Sequence, residues 1–225
     1  FEKNFSEYVE SKNAIALNSC TAGLHLALDS FGIGPGDEVV TTPMTFPATI
    51  NVIEHVGAKP VFIDVKKDTF NIDENKIEAA ITPNTKAIIP VHLAGRPCNM
   101  EFILNISKKY NLKVIEDAAH ATESYYNGNK IGNIGDVTCF SFYVTKNIVT
   151  GEGGMLTTND DEIAEMVRIR SLHGISKDAW DRFSNKGYSH YETKYPGYKY
   201  NMIDIQASLG IHQLKRVDES LLIRN

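Results

Sequence analysis

The 225-residue sequence has no long hydrophobic run, no cluster of basic residues and no paired-cysteine motif. A membrane-spanning helix needs roughly 18 or more apolar residues in a row, so we expect no membrane insertion. The net charge of −5 comes without the clustered Lys and Arg that bind phosphate backbones, which argues against nucleic-acid binding. Cys20, Cys98 and Cys139 lack the spacing of zinc sites or disulfide frameworks. We therefore expect no metal site, and a reducing, cytoplasmic location.

Strands and helices alternate along the chain. Apolar runs at residues 14–17, 38–42, 60–65, 86–91 and 113–117 read as strands, and segments with helical spacing separate them. Strands that alternate with helices of about ten residues are typical of α/β folds with a mainly parallel sheet. Further strands are predicted at 138–143 and 154–158, and a last helix at 203–217.

A lone lysine, Lys146, ends a β-branched and aromatic run and precedes glycines at positions 151, 153 and 154. Its neighbours Val144 and Ile148 are apolar, and desolvation lowers the pKa of an ammonium group toward that of a nucleophilic amine. The glycines allow a sharp turn and a close approach to a bound group. The stretch is also compatible with a plain strand-turn-strand corner whose lysine reaches water.

Three further positions have both a structural and a functional interpretation. Asp117 ends a buried strand, where a carboxylate needs a partner; it either caps the next turn or binds a ligand. Thr21 opens a helix, so it is either a capping residue or part of an anion site at the positive end of the dipole. Phe46 lies between a strand end and a helix start, where it is either core or a ring stacked on a flat ligand.

The run Ser-Phe-x-x-x-Lys-Asn-x-x-x-Gly-Glu-Gly-Gly at residues 141–154 resembles the cofactor-lysine motif of the DegT/DnrJ/EryC1/StrS sugar aminotransferases. The resemblance extends over essentially the whole chain. It implies pyridoxal 5'-phosphate (PLP) as cofactor and a three-layer α/β/α fold with a mixed, mainly parallel central sheet. It also implies a smaller C-terminal domain. We therefore expect residues 1–217 to form the PLP-binding large domain and residues 218–225 to begin the connection to a domain absent from this chain.

The same resemblance assigns roles to individual residues. Lys146 is the catalytic residue that holds PLP, and the carboxylate of Asp117 keeps the pyridinium nitrogen protonated. The chain departs from the family pattern at Cys20, where relatives have glycine, and at Lys199 and Asn201, where many members have Asn and Arg. The remaining implied cofactor contacts are Thr21, the backbone of Ala22, Phe46, His120, Ser141, Lys199 and Asn201; Glu152 and His173 are candidate substrate contacts, and His92 is a supporting candidate.

By resemblance, the expected activity is transfer of an amino group from glutamate to a keto group of a nucleotide-linked sugar, for amino-sugar and surface-polysaccharide synthesis. His120, Glu123 and the run Gly-Tyr-Lys-Tyr-Asn at 197–201 are similar to the branch that acts on UDP-linked 4-keto sugars. The family builds its active site across two subunits, so we expect a homodimer. The alternatives are a PLP-dependent sugar dehydratase, in which His replaces the lysine, a non-catalytic regulator on the same fold, and an unrelated α/β binding module. Lys146 argues against the dehydratase.

Overall fold

The computed structural model of the protein describes residues 1–175 and 192–224. Its strands are β1 (Asn13–Leu17), β2 (Glu38–Thr41), β3 (Lys59–Phe62), β4 (Thr85–Ile88), β5 (Lys113–Asp117), β6 (Tyr125–Tyr126), β7 (Asn129–Lys130), β8 (Val137–Ser141) and β9 (Gly154–Thr158). A seven-stranded sheet has the order β1-β9-β8-β5-β4-β2-β3, and β6 and β7 form a separate hairpin. Strand β9 is antiparallel to both of its neighbours, whereas the other ladders of the large sheet are parallel.

Helices cover both faces of this sheet. They are α1 (Glu2–Val9), α2 (Cys20–Ser30), α3 (Pro47–His55), α4 (Glu74–Ile77), α5 (Met100–Tyr110), α6 (Asp161–Ser171), α7 (Asp204–Leu214) and α8 (Val217–Arg224). Their starts follow the sequence closely: Asn99 and Asp160 accept hydrogen bonds from first-turn N–H groups of α5 and α6. Acidic residues in the first turn of α6 also complement its dipole.

Successive residues of the central strands alternate between the two faces. In β8, Cys139 packs into the core beneath α2, α3 and α6, whereas Phe140 packs on the other side with Phe5 and Val9 of α1. The rings of Phe5 and Phe140 meet at 5.1 Å. Helix α5 covers the remaining part of that second face, next to β4 and β5. A sheet buried on both faces needs this continuous apolar character, and the predicted three-layer α/β/α architecture is confirmed.

The last predicted helix divides in two. A break at residues 215–216 separates α7 from α8, and Val217 at the start of α8 is buried in the second core. Helix α8 is further held by the Tyr8 hydroxyl, which donates to Asp218 Oδ1 at 2.9 Å, and by an ion pair between Arg224 and Glu123. The proposed domain limits at 217 and 218 stay a prediction. Within the described ranges, every helix is too short or too polar to cross a bilayer.

Candidate functional site

A cleft with a volume of 390 Å³ opens where β4, β5 and β8 end. Open α/β sheets bind ligands outside the carboxyl ends of their strands, because loops and helix N-termini converge there. The starts of α2 and α3 and the loop between β8 and β9 complete the walls. We call that loop, residues 142–153, the lysine loop. The predicted site residues that line the cleft are Thr21, Phe46, His92, Asp117, His120, Ser141, Lys146 and Glu152.

Asp117 is the last residue of β5 and is only 6% exposed. Its Oδ2 accepts a hydrogen bond of 2.7 Å from Thr49 Oγ1, and its Oδ1 accepts one of 3.2 Å from the Ala119 N–H. The Thr45 and Thr49 hydroxyls are themselves 2.7 Å apart. The carboxylate therefore both caps the following turn and borders the cleft. Sequence reasoning missed Thr49; its place in the first turn of α3, just after Phe46 and Pro47, could have indicated it.

Cys20, the departure from glycine, brings a thiol to this carboxylate. Its Sγ lies 3.9 Å from Asp117 Oδ1 and 3.4 Å from the carbonyl oxygen of Cys139. Burial, followed by the charge of Asp117, raises the pKa of the Cys20 thiol. The thiol therefore stays protonated and can act as a weak donor to both oxygens.

Lys146 and His120 meet across the cleft mouth. Lys146 Nζ lies 2.6 Å from His120 Nε2, and the Lys146 N–H donates to the Tyr143 carbonyl oxygen within the lysine loop. Burial, and then the Lys146 charge, lowers the pKa of His120. In the neutral imidazole, Nε2 accepts from the ammonium group while Nδ1 carries the proton.

We expect His120 to titrate below its ordinary pKa of 6.5, as measured by NMR of its ring protons. At neutral pH the imidazole is uncharged and accepts from Lys146; as pH falls through the lowered pKa, two cations face each other and the contact is lost. Its stabilising effect is thus present above the ordinary pKa and disappears on acidification. The Lys146→Ala variant removes one cause, so its His120 should titrate higher. A midpoint at or above 6.5 in the unaltered protein would contradict this arrangement.

The start of α2 is held against the start of β9. Ser19 caps the helix, since its Oγ accepts from the Ala22 N–H at 3.1 Å. A Cβ at Gly154 would lie 2.3 Å from the Ser19 carbonyl carbon and 2.5 Å from the Cys20 nitrogen. The sequence predicted that the glycines bring the backbone close to a bound group; at Gly154 the close neighbour is the helix start itself. This glycine therefore fixes where the first turn of α2 lies relative to the cleft.

Gly154→Ala should destabilise the protein by about 1–3 kcal/mol, because the clash is with backbone that cannot rotate away. Thermal unfolding of the purified variant measures the loss. Gly34→Ala is the matched control, since its Cβ would meet only the Val56 carbonyl oxygen at an ordinary 3.6 Å. Equal melting temperatures for the two variants would contradict the close packing of β9 on α2.

Four predicted residues, Ala22, His173, Lys199 and Asn201, are not part of the cleft lining. The Ala22 N–H is already bonded to Ser19. Lys199 Nζ donates to Asn201 Oδ1 at 2.6 Å, and this segment pairs with the end of β1 through the Asn18 N–H and the Tyr200 carbonyl oxygen at 2.7 Å. His173 is exposed, and its N–H donates to the Tyr198 carbonyl oxygen. The structure thus separates Ala22, Lys199, Asn201 and His173 from the residues grouped around Lys146.

His92 is a buried residue just beyond the carboxyl end of β4. Its Nε2 lies 2.8 Å from Glu116 Oε2, and its Nδ1 accepts from the Cys98 N–H at 3.1 Å. Because Nδ1 accepts, Nε2 carries the proton and donates to Glu116. Glu116 Oε1 also accepts from the Gly135 N–H and the Thr138 hydroxyl, both at 2.7 Å. This fully buried carboxylate is thereby satisfied and fixes the strand ends beneath the cleft.

Further cleft residues went unpredicted. Ser19, Tyr143 and Thr145 line the cleft beside the predicted residues. Tyr143 and Thr145 flank the lysine in sequence, which could have indicated them, and Ser19 immediately precedes α2. The described residues hold no group of three or more metal-ligating side chains close enough to bind an ion.

The profile of the DegT/DnrJ/EryC1/StrS aminotransferase family matches residues 1–225. The chain belongs to this family. It is 57% identical to the spore coat polysaccharide biosynthesis protein SpsC of Bacillus subtilis (strain 168) over 97% of this chain and 56% of SpsC. It is 48% identical to the GDP-perosamine synthase of Caulobacter vibrioides over 100% of this chain and 58% of the synthase. The chain therefore spans a little more than half the length of these relatives.

A solved structure supports the same assignment. A protein of Streptococcus pneumoniae in its PLP form superposes with a TM-score of 0.87 at 38% identity, over 97% of this chain and 58% of that one. Members of this family are PLP-dependent sugar aminotransferases.

The side chains of the cleft suit the chemistry of pyridoxal phosphate. Pro47 holds Phe46 in an extended conformation, and the ring stands 77% exposed beside the cleft, unpacked by this chain. The buried Asp117 carboxylate supplies an acceptor for a pyridinium N–H, and Lys146 supplies the amine. The first turn of α2, which begins at Cys20 and includes Thr21, supplies N–H groups for a phosphate. The residues present therefore fit the cofactor that the family uses.

Proposed function

We propose that this chain provides the PLP-binding part of an aminotransferase that moves an amino group from glutamate to a keto group of a nucleotide-linked sugar. The observation that carries the proposal is the grouping of Lys146, Asp117 and the exposed ring of Phe46 around one cleft. These residues come from three separate parts of the sequence, and an unrelated binding module has no need of all three together.

Each of these residues has a defined task in holding the cofactor. The Phe46 ring offers a flat apolar surface for stacking. Thr21, with the first-turn N–H groups of α2 and the hydroxyl of Ser141, binds the phosphate; Cys20 and Ser19 lie closer to the cleft than Ala22 does and take its place in this set. Asp117 would accept a hydrogen bond from the pyridinium N–H and keep that nitrogen protonated, and the Thr49 hydroxyl keeps its carboxylate oriented. His120 contacts the ring hydroxyl.

Proton transfer falls to Lys146. When bound, PLP supplies an electron sink for the pair of electrons released as a proton leaves the carbon next to nitrogen. Lys146 would hold the cofactor through its amine and, when that amine is free, would take this proton as a general base and return it as an acid. Neutral His120 lies beside Lys146 Nζ. Its ring nitrogen can accept a hydrogen bond from the ammonium form of the lysine, and it leaves the amine form free to react.

The substrates and the partner subunit follow from the family and from the residues outside the cleft. We assign a UDP-linked 4-keto sugar as the substrate, with Glu152 and His173 as candidate contacts to it. Because Lys199 and Asn201 do not line the cleft of their own chain, we assign them to the phosphate of a second copy in a homodimer. Lysine is suited to phosphate as a point charge. The proposed location is the cytoplasm.

The discriminating experiment is a two-step reaction followed by absorbance. The intact protein loaded with PLP is mixed with glutamate alone, and conversion to the amine form of the cofactor shows the first half-reaction. UDP-linked and GDP-linked 4-keto sugars are then added separately, and recovery of the original spectrum identifies the acceptor. A loaded protein that ignores all amino donors would favour the regulator or another PLP reaction. Failure to load through Lys146 would overturn the cofactor assignment.

A further inference from the structure

Glu123 is a buried carboxylate that the proposed chemistry does not use. It is 5% exposed and lies one turn beyond His120, in the segment that follows β5. Its Oε2 accepts a 2.5 Å hydrogen bond from Asn147 Nδ2, and its Oε1 pairs with the Arg224 guanidinium of α8. Burying a carboxylate costs free energy of folding unless the group is paired. Both contacts therefore contribute to keeping Glu123 buried.

Asn147 directly follows Lys146. The segment after β5 therefore contacts both adjacent residues: His120 contacts Lys146, and Glu123 accepts a hydrogen bond from Asn147. The next residue, Ile148, is fully buried in the second core, together with Leu214 and Val217. The lysine loop is thus fixed on the side away from the cleft by a polar contact and an apolar one.

A second cation lies close to this carboxylate. Lys130 Nζ is buried between the rings of Tyr8 and Tyr125, at 3.5 and 4.7 Å from their centres, with no hydrogen-bond acceptor among the described residues. Burial lowers the pKa of Lys130, while Asp218 and Glu123 raise it. Glu123 therefore lies close to two cationic side chains, those of Arg224 and Lys130.

We propose that Glu123 is a positioning residue for Lys146: its carboxylate fixes the lysine loop through Asn147 and ties that loop to α8 through Arg224. This inference rests on the proposed role of Lys146 as the cofactor lysine. The Asn147 contact sets the course of the backbone next to Lys146, so the amine is held where it can reach a bound aldehyde. Displacements of about 1 Å at a reacting group lower rates by about 10²-fold, so such a contact has a measurable effect.

The test compares Glu123→Gln, Asn147→Ala and the double variant with the unaltered intact protein. The first readout is the rate at which Lys146 captures PLP, followed by borohydride reduction and mass analysis of the modified peptide. The second is hydrogen exchange of the lysine loop in cofactor-free protein, which needs no activity. Because Asn147 lies at the surface, its variant should fold even if Glu123→Gln does not.

Glu74 provides a matched control. It is also a buried carboxylate, held by one cation and one amide: Lys66 Nζ at 2.5 Å and Asn99 Nδ2 at 2.9 Å. It does not line the cleft. Glu74→Gln therefore reproduces the loss of a buried charge without touching the lysine loop.

We expect both single variants to capture PLP about 10- to 100-fold more slowly, with faster exchange in the lysine loop, and the double variant to be no worse than the more affected single one. Glu74→Gln should leave both readouts unchanged. Two outcomes would overturn this proposal alone, provided that the unaltered protein captures PLP normally. One is a Glu123→Gln variant that behaves like Glu74→Gln, and the other is additive effects in the double variant. No capture at Lys146 in the unaltered protein would overturn the proposed function as well.

Discussion

Replacing Lys146 with alanine should abolish covalent capture of PLP and lower the transamination rate by more than about 10²–10⁴-fold, the range that a positioned acid-base group supplies by itself. In the proposed mechanism one side chain both holds the cofactor and moves the proton, so the variant loses both functions together. Absorbance of the loaded protein and single-turnover kinetics with glutamate measure the two effects separately.

Lys146→Arg distinguishes this chemistry from simple charge. Arginine retains a cation next to His120, but its guanidinium neither forms the covalent link nor gives up a proton at neutral pH. We expect it to be as inactive as the alanine variant. Substantial turnover in either variant would show that another amine carries the reaction.

Asp117→Asn should lower transamination by about 10²- to 10³-fold, equivalent to about 3–4 kcal/mol, because a neutral amide would replace the buried carboxylate that we propose pairs with the protonated ring. The amide also offers a single acceptor where the carboxylate serves both the Thr49 hydroxyl and the Ala119 N–H. Loading with PLP should persist, since Lys146 is unchanged, so a steady-state rate on fully loaded protein isolates the loss.

Asp136→Asn is the control for a carboxylate on the same sheet. Asp136 Oδ2 accepts from the Val114 N–H at 2.8 Å, just before the start of β8 and away from the cleft. Its loss should affect stability slightly and the reaction rate of the loaded protein not at all. An Asp117→Asn variant as active as Asp136→Asn would remove the assigned role of Asp117.

The polar groups around Asp117 show where sequence reasoning ends. The strand end at Asp117 could be found because an acid after an apolar run stands out. Its partner Thr49 lies 68 positions away and its thiol neighbour Cys20 lies 97 positions away. Neither contact has a local signature, since both depend on which strands become neighbours in the sheet. The same holds for Glu123, which becomes interpretable only once Arg224 and Asn147 are seen on either side of it.

The sequence by itself determined the alternation of strands and helices, the lysine motif, and the family to which they belong, because apolar periodicity and glycine spacing are local properties of a chain. It also indicated several of the polar and aromatic residues that line the cleft, including Lys146, Asp117 and Phe46. Only the tertiary structure decided that Ala22, His173, Lys199 and Asn201 lie apart from that cleft, and that Gly154 abuts the start of α2. Those outcomes depend on strand order and on how closely helices approach the sheet, which are set by packing between residues far apart in sequence.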